Sequence, residues 1–272
     1  MINTSNVVKA YEVTFVHIST KEVKKQTDYV AIEEPLQIFV NNKHYATILC
    51  SPMEKEVLVV GNIFSEGLVN SLDDVLEIRP GTNGEFYVTL REDIDVSKRM
   101  ETLSFFKRFI LTSSNATDIW SMSKLIDWIQ VPRVSDTTLF DADVISKGTK
   151  RLNDLASIFR KTGGVHAAAV FCSQGELLAL AEDVGRHNAV DKALGKVILQ
   201  KQASKGKFLA LTGRMTGDIV LKAARLRIPL VVSISAGINS GIDIAEKTGI
   251  TLVGFARGDR MNIYTFPERL VP

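Results

Sequence analysis

Glu182-Asp183-Val184-Gly185-Arg186-His187-Asn188-Ala189-Val190-Asp191-Lys192 places seven charged or hydrogen-bonding side chains and one glycine within eleven residues. It follows Leu177 to Ala181, an apolar run with the length of a buried strand. It opens a segment in which Val190, Leu194, Val197 and Ile198 recur at the spacing of one helix face. The polar cluster therefore sits at a strand-to-helix switch. A helix start leaves N–H groups unpaired and carries the positive end of the dipole, so an anion can bind there, with Arg186 and Lys192 adding attraction. The alternative is a capping and salt-bridge network with Asp183 as the cap and His187 paired to Asp183 inside the protein.

Outward from that switch the pattern alternates. A helix is expected near Thr137 to Arg160, then a hairpin of Val165 to Cys172 with Leu177 to Ala181 around Ser173-Gln174-Gly175. The helix opened by the cluster follows, then strand Phe208 to Leu211, helix Thr216 to Leu226, strand Pro229 to Ile234, helix Gly241 to Lys247 and strand Ile250 to Phe255. This order is α/β. The first half reads as α+β: short strands at Val13 to Val16, Tyr29 to Ile32 and Leu36 to Val40, a turn at Asn41-Asn42-Lys43, and strand Tyr45 to Cys50. Ser51-Pro52-Met53-Glu54 has the form of a capping box opening a helix that Gly67 ends. Ser71 to Leu76 reads as a helical turn, Phe86 to Leu90 as a strand and Asp118 to Ile129 as a helix. The expected domains are 1–131, strand-rich, and 132–272, with the boundary near Pro132.

A formal charge of +2 over 272 residues gives no general attraction for nucleic acid or membrane, so any anion site is local. Met1 to Val13 lacks a basic stretch followed by an apolar core, and no run reaches about 18 apolar residues. Cytoplasmic residence is the expectation. Cys50 and Cys172 are too few for a disulfide framework or a cysteine-rich metal site.

Other short motifs accompany the cluster. Thr162-Gly163-Gly164-Val165-His166-Ala167-Ala168 precedes it, Thr212-Gly213-Arg214-Met215-Thr216 follows it, and Gly254-Phe255-Ala256-Arg257-Gly258-Asp259-Arg260-Met261-Asn262-Ile263-Tyr264 closes the series. Upstream stand Glu33-Glu34-Pro35-Leu36, Ser51-Pro52 and Phe64-Ser65-Glu66-Gly67. In this order they resemble the FdhD family of formate dehydrogenase accessory proteins, over roughly Glu33 to Leu270. The resemblance implies a C-terminal cytidine-deaminase-like three-layer sandwich with a smaller strand-rich N-terminal domain, a homodimer, and cysteine desulfurase and formate dehydrogenase as partners. It also implies that Phe255, Ala256, Arg257, Gly258, Asp259 and Arg260 belong to a binding site for molybdenum bis(molybdopterin guanine dinucleotide), for which GDP is a surrogate ligand.

Deaminases of that fold hold zinc at two helix starts through histidine or cysteine and a Pro-Cys-x-x-Cys. The corresponding starts here, Asp183 to Asn188 and Thr212 to Thr216, contain no cysteine, so no zinc is expected. Two helix N-termini flanked by Arg186 and Arg214 remain, which suits phosphates, with His187, Asn188 and Gly213 as further contacts. For Arg214 the alternative is a buried ion pair. His166 stands between a core role and the site floor, whereas His17 and His44 read as ordinary strand and turn residues. In the closing segment Asp259 would read a guanine edge, Phe255 stack on its face and the arginines hold phosphates; the alternative is a solvated turn.

The family's Cys-Gly-x-Cys loop, to which the resemblance assigns a persulfide relay, should fall near Thr112 to Ile119. Ser114, Asn115, Ala116, Thr117 and Asp118 stand there instead. Thiolate is the sulfur acceptor because it is polarizable and ionises near neutral pH, and neither serine nor threonine replaces it. No catalytic residue is assigned. Cys50 shares a strand face with Ala46 and Ile48, and Cys172 ends a strand; both read as packed, although the helix start after Cys50 would lower its pKa. Asp218 stands where the family has glutamate, and Ser235-Ala236-Gly237-Ile238-Asn239 replaces a Ser-Ala-Pro-Thr-type stretch. Three functions remain open: a cofactor-binding sulfurtransferase accessory protein, a cofactor carrier that does not transfer sulfur, and a deaminase-like nucleotide enzyme.

Overall fold

Val8–His17 (β1) and Glu22–Ala31 (β2) pair antiparallel along their whole length as a two-stranded ribbon. Most of its residues are exposed on both faces, so no apolar alternation marks the strands, and only fragments of each were legible in the sequence. Glu34–Val40 (β3), Lys43–Cys50 (β4), helix Lys55–Ser65 (α1), Val75–Pro80 (β5) and Glu85–Leu90 (β6) follow. The four strands form one sheet in the order β4-β3-β6-β5. Leu36, Ile38 and Val40 of β3 pack with Leu58, Val59 and Ile63 of α1 in its core. The expected turn is present, with Asn41 and Asn42 both at positive φ.

Two expectations in this half fail. Ser51 does not cap α1, which begins after Glu54 at φ 53° with no side-chain cap; the Ser51 groups are used elsewhere, as described below. The turn at Ser71 is a short 3-10 helix, Leu72–Asp74, and it delivers the chain into β5, a strand the pattern did not reveal.

The computed structural model describes residues 6–97, 99, 131, 133–202 and 205–272. The helix expected over Asp118 to Ile129 and the loop at Thr112 to Ile119 lie outside the described residues, and the boundary expected near Pro132 falls at their limit.

Phe140–Asp141 (β7) leads into Ala142–Leu155 (α2) and Ser157–Thr162 (α3). One helix was expected from Thr137 to Arg160. Instead the Asp141 carboxylate accepts the Asp143 and Val144 amides and starts α2, and Ala156 leaves helical dihedrals between the two. His166–Cys172 (β8), Leu177–Asp183 (β9), helix Arg186–Leu199 (α4), Lys207–Leu211 (β10), helix Gly217–Arg225 (α5), Leu230–Ser233 (β11), helix Asn239–Thr248 (α6), Thr251–Arg257 (β12) and Arg260–Ile263 (β13) complete the alternation. Leu270–Val271 (β14) pairs back with β7.

The larger sheet has the order β13-β12-β11-β10-β8-β9. Strands β10, β11 and β12 are parallel, and β8 is antiparallel to both β10 and β9. The carboxyl ends of β9, β10, β11 and β12 and the amino end of β8 therefore share one edge. Every residue of β10 and β11 is buried, and apart from Lys207 and Ser233 at their ends both are apolar, as strands covered on both faces require. Phe140, Ile145 and Leu152 cover one face, where the Phe171 and Phe208 rings stack 5.1 Å apart. Helices α4, α5 and α6 cover the other through Val190, Leu194, Ile219, Val220 and Ile244. This is a three-layer α/β/α arrangement.

Helix α1 lies directly on α4. A Cβ on Gly61 would fall on the Asp191 carbonyl, and one on Gly195 on the Val57 carbonyl, so these two glycines permit near backbone contact.

Candidate functional site

The motif from Glu182 to Lys192 divides by direction. Its larger part is internal. The Glu182 carboxylate accepts the Ile158 and Phe159 amides at 3.2 and 2.7 Å and so caps α3. Asp183 Oδ2 accepts Lys192 Nζ at 2.6 Å and the Ser51 amide at 3.1 Å; Oδ1 accepts the Gly185 amide and Asn188 Nδ2. The Asp183 and Lys192 side chains are 0% exposed. Asn188 also donates to the Leu49 carbonyl, and Ser51 Oγ accepts the Val184 amide. One turn later Asp191 accepts Asn62, Ser65 and Lys222, and Lys222 reaches Glu66 at 2.7 Å.

Three sequence expectations change accordingly. Lys192 faces the interior and lends no charge to an external anion. Asn188 spends its amide on the seam between the sheets. Asp183 satisfies a buried network, while the N-cap of α4 is Gly185, with no side-chain cap.

Only Arg186 and His187 leave this network for the strand edge. His187 contacts Asp218 at ion-pair range, and not Asp183. The Thr216 hydroxyl donates to Asp218 as well, and the Ile219 amide does so at 3.0 Å. Burial opposes ionisation of Asp218, but these partners hold its carboxyl well below the usual carboxylate range.

The neighbouring loops are joined in series. The Phe255 amide donates to the Ser235 carbonyl, the Ser235 amide to Ser233 Oγ, and Ser233 Oγ lies 2.6 Å from the Gly213 carbonyl that it serves as donor. The Met215 amide donates to Ala236 O, and the Ile238 amide to Met215 O. The loop after β12 is thereby tied to the loop after β10. Nothing in the sequence pattern marked Ser233 for this role, since it falls inside the strand expected over Pro229 to Ile234.

Gly213 sits under Arg186 and His166: a Cβ there would come within 3.2 Å of Arg186 Cβ and 3.4 Å of His166 Nδ1. Burial lowers the His166 pKa, and the nearby charges of Arg186, His187 and Arg214 lower it further. These four side chains are therefore neighbours at the strand edge, with His166 half-buried among them. Arg186 Nε is buried without a hydrogen-bond partner among the described residues. Arg214 is exposed, which removes the buried ion pair considered for it.

In the closing segment Phe255 is 39% exposed at φ 50° and Ala256 is buried. Arg257 Nε donates to the Ile234 carbonyl at 2.6 Å. Gly258, at φ 63°, turns the chain, and its carbonyl accepts the Ser146 hydroxyl of α2. Asp259 and Arg260 are exposed. Among the described residues Arg186, Arg214, Arg257 and Arg260 form no ion pair with a carboxylate.

Cys50 adjoins Ser51, which binds Asp183 at the carboxyl end of β9, whereas Cys172 lies at the opposite end of the sheet. Cys50 is fully buried, and burial pushes its thiol up to about 11, with the Asp183 charge adding to the rise, so the helix start does not activate it. Cys172 is half-buried at the far end of β8 from His166.

Three of the four loops at the carboxyl ends of the parallel strands carry arginines with no carboxylate partner among the described residues, Arg186, Arg214 and the pair Arg257 and Arg260, which defines an α/β protein with a cationic strand edge. A family model described as FdhD/NarQ matches residues 31–271. The chain is similar to the sulfur carrier protein FdhD of Sulfolobus acidocaldarius, 40% identical over 245 residues that cover 89% of this chain and 91% of the relative. It is similar to the sulfur carrier protein FdhD of Saccharolobus solfataricus, 34% identical over 271 residues covering 97% and 99%. Among solved structures, one described as a formate dehydrogenase accessory protein from Desulfotalea psychrophila has the same fold, with a TM-score of 0.76 and 23% identity over 97% of this chain and 100% of that one. The chain belongs to the FdhD/NarQ family. Among its described residues no helix is long and apolar enough to cross a membrane.

Proposed function

We propose that this protein is a formate dehydrogenase accessory protein whose strand edge holds the molybdenum bis(molybdopterin guanine dinucleotide) cofactor, and that it acts as a carrier of that cofactor. The observation that carries the reading is the buried Nε of Arg186, which has no hydrogen-bond partner among the described residues and lies beside Gly213, His166 and Arg214. A buried donor without an acceptor is costly, and a phosphate oxygen would supply the acceptor. Arg186 and Arg214 would hold one phosphate-bearing end, Arg257 and Arg260 another.

Relatives bear the name sulfur carrier, and the resemblance gives the family a relay from cysteine desulfurase. Two features favour carriage without a thiol relay in this chain: its only cysteines are Cys50 and Cys172, and Cys50 is buried with a raised pKa. A persulfide forms on an accessible thiolate. Calorimetric titration of the purified protein with GDP, with GMP and ADP as controls, tests the cofactor site. Saturable, guanine-selective binding is expected, and its absence would defeat the reading. Loss of cofactor sulfuration on alkylating the two cysteines would instead restore the relay.

A further inference from the structure

Cys172 closes β8 and Lys207 opens β10, and the two stand directly across the antiparallel ladder. Val170 with Leu209 and Ala168 with Leu211 are the next rungs, all four buried in the core beneath α4, α5 and α6. Side chains directly opposite share a face, with Cβ atoms about 4.5 to 5.5 Å apart, so the thiol and the lysine stem start side by side. Both backbones are held. Cys172 donates its amide to the Glu176 carbonyl and accepts the Gly175 amide, and the Gly206 amide just before Lys207 donates to Asp136 Oδ2.

Lys192 and Lys222 are buried against carboxylates. Lys207 is only 7% exposed, yet it makes no hydrogen bond or ion pair among the described residues. A buried ammonium without an acceptor is costly, which raises the share of neutral, nucleophilic amine. Burial accordingly pushes the Lys207 pKa below the ordinary lysine value, and negative charge on the Cys172 sulfur opposes that shift. Cys172 is half-buried, so a small oxidant can reach it, but no second thiol of the chain can. Cys50 adjoins the Asp183 network, at the end of the sheet where β8 begins. The seven residues of β8 carry Cys172 about 20 Å from that end, at a rise of about 3.3 Å per residue. A disulfide needs Cα atoms within about 7 Å. The nucleophile beside the sulfur is the Lys207 amine.

We propose that Cys172 and Lys207 form a peroxide-responsive modification site, in which oxidation of the thiol leads to a reversible sulfur–nitrogen crosslink between β8 and β10. In the first step the O–O bond of hydrogen peroxide breaks, the Cys172 sulfur is oxidised to the sulfenic acid and water leaves. The lone pair of Lys207 Nζ then attacks that sulfur. The S–O bond breaks, and the hydroxyl departs as water with a proton from the amine, leaving a sulfenamide. Sulfenic acids condense with backbone nitrogen in the same way. Across both steps the chain loses two hydrogens and the peroxide becomes two waters. A small thiol reverses the bond: it attacks the sulfur, frees the amine and forms a mixed disulfide, which a second thiol reduces.

The test is treatment of the purified full chain with hydrogen peroxide, followed by intact mass measurement and by peptide mapping without reductant. The expected chain is lighter by two hydrogens, carries a crosslink joining the peptides of Cys172 and Lys207, and regains its starting mass in dithiothreitol. Lys207→Arg keeps the charge but offers a guanidinium that stays protonated, so its Cys172 should remain a sulfenic acid. Dimedone added after the peroxide should therefore label Cys172 in Lys207→Arg and not in wild type. If that variant does not fold, the wild-type peptide map decides alone. Equal dimedone labelling of the two proteins would overturn the inference, because Lys207 would not be capturing the sulfur. So would a disulfide between Cys50 and Cys172, a disulfide between chains, or a Cys172 that stays reduced while methionines gain oxygen.

Discussion

Asp183 and Lys192 on one side of the α4 entrance, and Arg186 on the other, use charge in opposite ways. The first two are fully buried and matched by each other, by Ser51 and by Asn188, and they fasten the segment that follows β4 to the larger sheet. Arg186 keeps a buried nitrogen with no partner among the described residues. A single motif thus contains a structural lock and an open donor three residues from it. The difference teaches that motif density alone does not mark a ligand site; what marks it is the charge that the fold leaves unspent.

The lock should give the largest effect. Lys192→Met leaves Asp183 charged in the interior, and removing one partner of a buried pair typically costs about 3 to 5 kcal/mol. Urea denaturation measures it, and the molecules that remain folded should bind GDP as wild type does. A loss below about 1 kcal/mol would mean that the amides around Asp183 suffice, and the contrast between lock and open donor would collapse.

At the edge, Arg257→Ala combined with Arg260→Ala should weaken GDP binding by about 1 to 3 kcal/mol, the worth of at least one charge-assisted contact. The melting temperature should barely move, because both side chains are exposed. Rising salt should weaken the wild-type interaction, though less steeply than for a fully exposed patch. Unchanged affinity would move the phosphates elsewhere.

This contrast explains what the sequence could and could not disclose. The alternation from β8 to β12 was legible because strands covered on both faces read as apolar runs and their helices carry one apolar stripe. The β1–β2 ribbon was not, since exposure on both faces erases the period of two. At the site, Arg186, His187, Gly213 and Arg214 fall together as their motifs suggested. The burial of Lys192 and Asn188 was invisible because their partners, Asp183 apart, come from Leu49 and Ser51, more than a hundred residues upstream. Local spacing carries no record of a partner so distant. The same holds for Ser51, which has the sequence form of a helix cap and instead serves Val184.

His187→Ala probes a pair that belongs to neither class. The His187 and Asp218 side chains are 33% and 27% exposed, so their attraction is partly screened and its loss should cost no more than about 1 kcal/mol of stability. Ligand affinity should fall if His187 touches the anion directly. A large thermal loss with unchanged affinity would place His187 with the lock.

The smallest expected effect is a proton count. In the free protein, burial and the positive charges of Arg186, His187 and Arg214 hold the His166 pKa below the ordinary value of 6.5. The folded state then binds fewer protons than the unfolded chain as pH falls through that range. The stability associated with His166 is present above 6.5 and is lost as pH falls through the lower folded value. An anion seated among the arginines would offset their charge and raise the His166 pKa. GDP binding should therefore take up protons near and below pH 6.5, and affinity should rise as pH falls, by linkage. NMR titration of the His166 ring with and without GDP reads the shift directly, and calorimetry in buffers of different ionisation enthalpy counts the protons. A His166 titration that ignores GDP, alongside normal binding, would place the ligand away from Arg186, and the open donor would need another acceptor.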